Sequence, residues 1–404
     1  MSNSEYDTNI QLKYLKHIGH DNCVICVRVS LNTKSLRGCD VLIFLALSQQ
    51  KPSTNYREYN VGSFLFNFKY SQNVDVKLYV FDVTFGSQMS DCVPQQKYFQ
   101  KKETFLFLAI LAVKKLKMIF NGNQLANTIL KTLRITSEIK PKLGICLVGD
   151  SPASKSYVNR KLKACQEINV DAEVFNFSEN VGQEQLIKHI QQMNHDGILV
   201  QLPLPSHLNK LDIIHSIPYE KDVDCLHMHN LQRILVYGEL CEMLPCTPAA
   251  VLQILDYYDV NVIGKKVTMI GRSFLVGLPL SLLLQKRNAT VTVCHRETLN
   301  LDQHIMNADI VISAAGHPKL VRNVKQGAIV IDVGISQGEK KGKIVGDVDF
   351  DVVKNQASLI TPVPGGVGPM TVCMLMRNLC NIWKKKQGQP VYINPKLSDA
   401  YLND

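Results

Sequence analysis

From Met118 onward the chain alternates short apolar runs with helically spaced segments. That alternation restricts it to an α/β architecture with a largely parallel sheet. The spacing predicts helices over residues 124–133, 183–193 and 278–285, and one starting at Pro152. It predicts strands at 143–148, 171–177, 197–201, 266–270, 289–294, 310–314 and 328–333. A last helix is expected after Pro369, ending near Trp383, and a linking stretch around 234–248 joins two α/β units. Residues 1–117 have another texture: 63–70 and 74–83 alternate like two strands around Ser71-Gln-Asn73, and no chemical constellation stands among them.

The expected division is an extension of unassigned role at 1–117, a first α/β domain at 118–240, and a Rossmann-type domain at 241–360. A loop and terminal helix at 361–386 pack back on the first domain, and 387–404 is a polar tail. Two or three domains suit 404 residues. Of the net charge of +10, +6 falls in residues 1–117 and +4 in the rest, with no dense basic tract interleaved with aromatics; nucleic acid is therefore not an expected partner. The longest apolar run, 105–113, is nine residues, short of the roughly 20 that span a bilayer, so no membrane is expected either. Twelve cysteines lack framework spacing; Cys23 and Cys26 form a C-x-x-C with no second pair. So many unpaired thiols point to a reducing compartment, the cytoplasm, with the mitochondrion as alternative. No metal site is expected.

Three regions carry chemistry. The first is the helix opened by Gly149-Asp-Ser-Pro152, where Asp150 or Ser151 can cap and Pro152 suits the first turn. Val158, Leu162 and Cys165 are spaced to face the core, while Tyr157 and Lys161 share another face and point to the carboxyl-terminal rim of the sheet, where open α/β sheets bind ligands. A lysine beside a phenol there can move protons; a solvated helix lysine is the plainer alternative, and Lys163 fits it. Gln201 is the one polar side chain at the end of an apolar strand, and its amide needs partners. Lys221-Asp-Val-Asp224 offers carboxylates that either grip an amino-substituted heterocycle or cap a helix.

The second region is Lys266-Val-Thr-Met-Ile270 leading into Gly271-Arg-Ser-Phe-Leu-Val-Gly277, a strand, turn and helix start that favours phosphate. The next strand ends in His295-Arg296, where NAD-binding units usually place an acid. A basic residue there, with Arg272 and Ser273 nearby, favours the 2′-phosphate of NADP. The third is Thr361-Pro-Val-Pro-Gly-Gly-Val-Gly-Pro-Met-Thr371, whose glycines and prolines fix a loop and let backbone approach a ligand.

In order along residues 118–383, these stretches with Gly197–Pro205, Pro245-Cys-Thr-Pro248 and Gly346-Asp-Val348 closely resemble the bifunctional methylenetetrahydrofolate dehydrogenase/methenyltetrahydrofolate cyclohydrolase family. The resemblance implies a catalytic tetrahydrofolate-binding domain, a Rossmann NAD(P)-binding domain, a folate cleft between them and a homodimer. It implies Lys161 as catalytic lysine with Tyr157, Gln201 and Asp224 assisting. It implies Tyr157, Val200, Gln201, Leu202, Asp224, Pro364, Gly365, Gly366, Val367 and Gly368 as folate contacts, and Gly271, Arg272, Ser273, Arg296 and Ile335 as cofactor contacts. The implied activity oxidises 5,10-methylenetetrahydrofolate with NADP, NAD being the lesser candidate, and hydrolyses the methenyl product to 10-formyltetrahydrofolate.

The chain departs from the family at Cys225, where glycine is usual and a side chain would crowd the pterin loop, and at Asn121-Gly-Asn123, where Asp-Gly-Lys is usual. An NAD-using mitochondrial subgroup pairs an arginine at the Arg296 position with phosphate and magnesium through an aspartate; Asn288 stands at the matching place, which favours NADP. The competing readings are a dehydrogenase without the hydrolase step, a non-catalytic NADP-binding protein, and a Rossmann dehydrogenase for a small acid, which would not need the Pro-Gly-Gly-Val-Gly-Pro loop.

Overall fold

The computed structural model describes residues 118–338 and 344–393, and the backbone of five strands nearer the amino terminus. Those strands, β1 (Asn9–Gly19), β2 (Asn22–Thr33), β3 (Leu36–Leu47), β4 (Phe64–Ser71) and β5 (Val74–Val83), form an antiparallel sheet of order β1-β2-β3-β5-β4. The hairpin expected around residues 71–73 is its β4–β5 pair. This sheet belongs to one compact unit; Phe107–Asp256 with Val260–Asp404 form another.

The second unit has two lobes. In the first, β7 (Lys142–Val148) lies between β8 (Asp171–Phe177) and β9 (Gly197–Val200), all parallel. Leu143 to Val148 are buried without alternation, as in a central parallel strand covered on both faces. Helices α1 (Gly122–Leu133), α2 (Pro152–Ile168), α3 (Gln183–Gln192), α4 (Lys210–His215) and α5 (Met228–Tyr237) surround this sheet. Cys146, Val148 and Ile198 of the sheet share one core with Leu186, Ile190 and Ile213 of α3 and α4.

The second lobe is a six-stranded parallel sheet of order β11-β10-β12-β13-β16-β6. Its strands are β6 (Met118–Ile119), β10 (Lys266–Ile270), β11 (Thr290–Cys294), β12 (Ile310–Ser313), β13 (Ile329–Asp332) and β16 (Leu359–Ile360). Helices α6 (Cys246–Tyr257), α7 (Gly277–Lys286), α8 (Leu301–Met306) and α9 (Phe350–Val353) connect them, beside a short antiparallel pair, β14 (Ser336–Gln337) with β15 (Ile344–Val345). Strand order reverses between β10 and β12, which opens a crevice at their carboxyl ends. Helix α10 (Val367–Lys386) leaves this lobe and packs on α1, α2 and β9 of the first.

Several details differ from the expectations. Strand β6, at the start of the first domain in sequence, pairs in register with β16 and completes the second lobe's sheet; two residues are too few to show periodicity. Helix α10 starts before Pro369, because proline is tolerated in a first turn whose N–H groups have no intrahelical partner. Helices α4, α5, α6, α8 and α9 stand where no helix is expected, and the linking stretch at 234–248 contains the end of α5 and the start of α6. Ser151 makes no side-chain cap, and Asp150 instead pairs with Lys155 at 2.7 Å.

Candidate active site

Lys161 is buried, at 8% exposure, which excludes the solvated alternative. Its neighbour Leu162 is only half-buried, so the core face of α2 runs through Val158, Lys161 and Cys165. The Lys161 Nζ donates to Gln201 Oε1 at 3.1 Å. Gln201, at 7% exposure, follows directly on Val200 of β9, and its backbone N–H donates to Cys146 O at 2.9 Å. Its Nε2 donates to Leu202 O at 2.6 Å, so the amide is oriented with its oxygen towards the lysine. Tyr157, one turn before Lys161, is half-buried; burial pushes its phenol up, against a smaller downward effect of Arg160, whose guanidinium lies 4.9 Å from the ring centroid. Lys163 is exposed, as expected.

The acids of the 221–224 stretch divide their work. Asp222, 1% exposed, accepts from His227 N at 2.7 Å and Asn230 Nδ2 at 3.2 Å, holding the loop to the start of α5. Burial pushes its carboxyl up to about 6. Asp224 is half-exposed, and among the described residues none donates a hydrogen bond to it. Cys225 has φ 57°, a left-handed backbone that glycine adopts freely, and its thiol is buried. The side chain therefore turns into the protein rather than onto the loop's open side, against the expectation of crowding. Asn378 of α10 donates from Nδ2 to Val223 O at 2.9 Å and to Leu244 O at 2.8 Å. One amide thus ties the acid loop and the approach to Pro245-Cys-Thr-Pro248 to the terminal helix, a link that no local pattern in the sequence signals.

The loop 361–371 enters from β16 and runs into α10. Gly122 N donates to Gly365 O at 2.8 Å, and a Cβ on Gly122 would overlap the carbonyl oxygens of Gly366 and Gly365. Gly365 has φ 98°, and Val363–Pro364 is cis, as is Leu202–Pro203. The Asn121-Gly-Asn123 stretch therefore lies directly under the loop; Asn121 accepts from Gln124 N at 3.1 Å and caps α1.

On the second lobe, Gly271 has φ 109°, and a Cβ there would strike Ala314 O; a Cβ on Gly277 would strike Gly271 O. Both glycines are thus required by a tight turn at the start of α7, the form of turn that cradles a dinucleotide phosphate. Gly271 N donates to Cys294 O at 2.9 Å, which sets the 271–277 turn beside His295-Arg296. Arg272 and Ser273 are exposed, Ile335 is 48% exposed, and the Arg296 side chain is 92% exposed with only Glu297 at 3.1 Å. A pair that exposed holds weakly, so Arg296 can exchange Glu297 for an anion. Asn288 lies in a left-handed turn before β11, the strand's whole length from Arg296.

Sequence reasoning also missed two carboxylates. Asp332, at the end of β13, and Asp347, in the Gly346-Asp-Val348 stretch, are 3% and 0% exposed. Asp347 accepts from Ser313 Oγ at 2.8 Å and from the N–H groups of Ala315, Gly316 and His317 at 2.7, 3.3 and 2.8 Å. Asp332 accepts from the N–H groups of Gly334, Asp347 and Val348 at 3.0, 3.0 and 2.9 Å.

A Rossmann lobe, joined to a second α/β lobe that buries a lysine against a glutamine at a strand end, defines a two-domain nicotinamide-dinucleotide enzyme. Residues 120–224 match the family model of the tetrahydrofolate dehydrogenase/cyclohydrolase catalytic domain, and residues 245–387 match that of its NAD(P)-binding domain. The Bifunctional protein FolD of Sulfurihydrogenibium sp. is 48% identical over 254 residues, 61% of this chain and 88% of that protein. The crystal structure of the bifunctional enzyme FolD-methylenetetrahydrofolate dehydrogenase/cyclohydrolase from Campylobacter jejuni is 42% identical, with a TM-score of 0.64, covering 67% of this chain and 99% of that one. The FolD of Trypanosoma brucei, complexed with NADP cofactor and inhibitor, is 36% identical with a TM-score of 0.64, covering 67% and 98%. The chain belongs to the tetrahydrofolate dehydrogenase/cyclohydrolase family.

Proposed function

We propose that this chain oxidises 5,10-methylenetetrahydrofolate with NADP and hydrolyses the 5,10-methenyl product to 10-formyltetrahydrofolate. The observation that carries the reading is the buried Lys161–Gln201 contact at the end of β9, in the lobe that matches the family's catalytic domain. Asp224, free of internal donors, is the acid that takes the donors of the pterin ring. Tyr157 covers the ring, with Val200 and Leu202 beside Gln201, and residues 364–368 close the site from the second lobe's side. Gly271, Arg272, Ser273, Arg296 and Ile335 hold the dinucleotide; Gly271 and Gly277, where a Cβ would strike the chain's own backbone, keep the turn tight at the start of α7. When bound, the dinucleotide accepts the hydride that leaves the methylene carbon. Water then adds to the methenyl carbon and loses one proton; the hydroxyl so formed gives up its second proton as the C–N5 bond opens and N5 takes a proton, so that one proton is released overall. Lys161 relays these protons while Gln201 fixes its position.

NADP is favoured over NAD by three features at the 2′-phosphate position: basic Arg296, Arg272, and the Ser273 hydroxyl. Eight described cysteines are free thiols, in keeping with a reducing compartment such as the cytoplasm. No helix of the described residues is long and apolar enough to cross a membrane. The reading includes a homodimer; Leu235, Val236 and Tyr237, 59%, 68% and 53% exposed, are apolar surface of the kind a subunit contact covers. Light scattering on the purified chain would read the dimer directly.

The test of function is a paired assay. Purified protein receives methylenetetrahydrofolate with NADP or NAD, and reduced cofactor and methenyl absorbance are followed together near neutral pH. Reduction of NADP without methenyl accumulation is expected. Persistent methenyl would mean a dehydrogenase alone, and no turnover with either cofactor would refute the reading.

A further inference from the structure

The carboxylates of Asp332 and Asp347 have no role in the chemistry just described, yet both are buried and neither has an ion-pair partner among the described residues. A buried charge without a cation is costly unless hydrogen bonds surround it. Here the compensation comes almost entirely from loop backbone. Asp347 gathers Ala315, Gly316 and His317, the turn that follows β12 in the crevice where strand order reverses. Asp332 gathers Gly334, next to Ile335, and the N–H groups of Asp347 and Val348. The fit is close: a Cβ on Gly334 would overlap the Asp347 carboxylate, and one on Gly346 would overlap that of Asp332.

Within the same lobe the network also reaches the root of the folate loop. Asp332 N donates to Thr361 Oγ1 at 2.7 Å, and Thr361, at 1% exposure, is the first residue of the 361–371 loop. One connected set of hydrogen bonds therefore runs from the cofactor-side turns at 315–317 and 334–335 to the root of the loop that closes over folate. Hydride transfer needs donor and acceptor atoms, carried by different loops, about 3–3.5 Å apart. Hydrolysis draws its proton relay from Lys161 and Gln201, which lie outside this network.

We propose that Asp347, acting through Asp332 and Thr361, is a positioning residue that holds the cofactor-side turns and the folate loop in one register, so that it governs hydride transfer far more than hydrolysis. The inference rests on the function proposed for this site.

The test is the ratio of dehydrogenase to cyclohydrolase activity in the full chain, with the methenyl substrate supplied directly for the second. Asp347→Asn replaces an oxygen that accepts several N–H groups by a donor. It is expected to raise the KM for NADP and lower dehydrogenase kcat/KM by about 100-fold, while cyclohydrolase falls less than about threefold. Ser313→Ala, which removes a single donor, decides the matter if Asp347→Asn does not fold; a dehydrogenase loss of about threefold with little change in hydrolysis is expected. Thr361→Val should lower the same ratio and Thr361→Ser, which keeps the hydroxyl, should restore it. Equal loss of both activities in the folded variants, or an unchanged ratio, would overturn the inference. Unmodified protein lacking both activities would instead refute the proposed function.

Discussion

Lys161 and Gln201 come from different elements, forty positions apart, and meet at 3.1 Å with both side chains buried. Neither residue has a purely structural reason to be there. A lysine withdrawn from water is retained only where its charge or its protons are used, and an apolar helix face would pack as well with leucine.

Lys161→Met is therefore expected to cut cyclohydrolase activity by about 10²–10⁴-fold, the range of a positioned proton relay, while calorimetric NADP affinity stays unchanged. Gln201→Ala should give a smaller loss, because the lysine remains but is no longer held. Methenyl hydrolysis at the normal rate by the Lys161 variant would remove Lys161 from the mechanism.

Gly122 makes a prediction about a residue far in sequence from the loop it touches. Its Cβ position is taken by the Gly366 and Gly365 carbonyls. Gly122→Ala must push the 361–371 loop outward, so the KM for folate should rise by about tenfold or more with NADP affinity preserved. A variant with normal folate kinetics would show that the loop does not contact substrate.

At Cys225 the backbone is left-handed, a conformation that costs a side-chain-bearing residue about 1–2 kcal/mol. Cys225→Gly removes that strain but gives up a buried thiol and loosens the unfolded chain, so its stability is expected within about 1 kcal/mol of the parent. Cys225→Val, β-branched at the same φ, should lose about 2 kcal/mol or more in denaturant melts. A large gain of cyclohydrolase activity in the glycine variant would show that the thiol does obstruct the pterin loop.

The pH dependence of stability follows from Asp332, whose carboxyl burial pushes up to about 7, against an ordinary value near 3.8. The folded state then binds more protons than the unfolded chain between those values, so this group's contribution falls as pH rises from about 4 to 7. Asp222, raised to about 6, acts in the same sense. Melting temperatures measured across that window should decline less steeply for Asp332→Asn than for the parent; an identical slope would mean that Asp332 does not titrate there.

What the sequence made legible were features with local signatures: the phosphate turn between Gly271 and Gly277, the Gly/Pro loop, and a lysine and a glutamine out of place in apolar surroundings. What it hid were relations set by tertiary contact. Asp332 and Asp347 look like ordinary acids at strand ends until their donors are seen. Asn378 sits beside Arg377 and near Asn381 on a largely apolar helix, with nothing nearby in sequence to suggest that it binds two loops. The helical spacing of α2 misassigned Leu162 and Lys161 by one place, because a ligand-facing lysine occupies part of the face that apolar residues normally fill.

Strand β6 opens the first lobe in sequence yet completes the second lobe's sheet, and α10 closes the second lobe in sequence yet packs on the first. The two lobes are therefore stitched together at both ends. A cut at their apparent boundary would leave one half without its outermost strand and the other without the helix that carries Asn378. Neither piece is a module that evolution or an engineer can exchange on its own. Transplanting the cofactor specificity of a relative into this chain would have to proceed side chain by side chain at the turn, not by swapping a contiguous block.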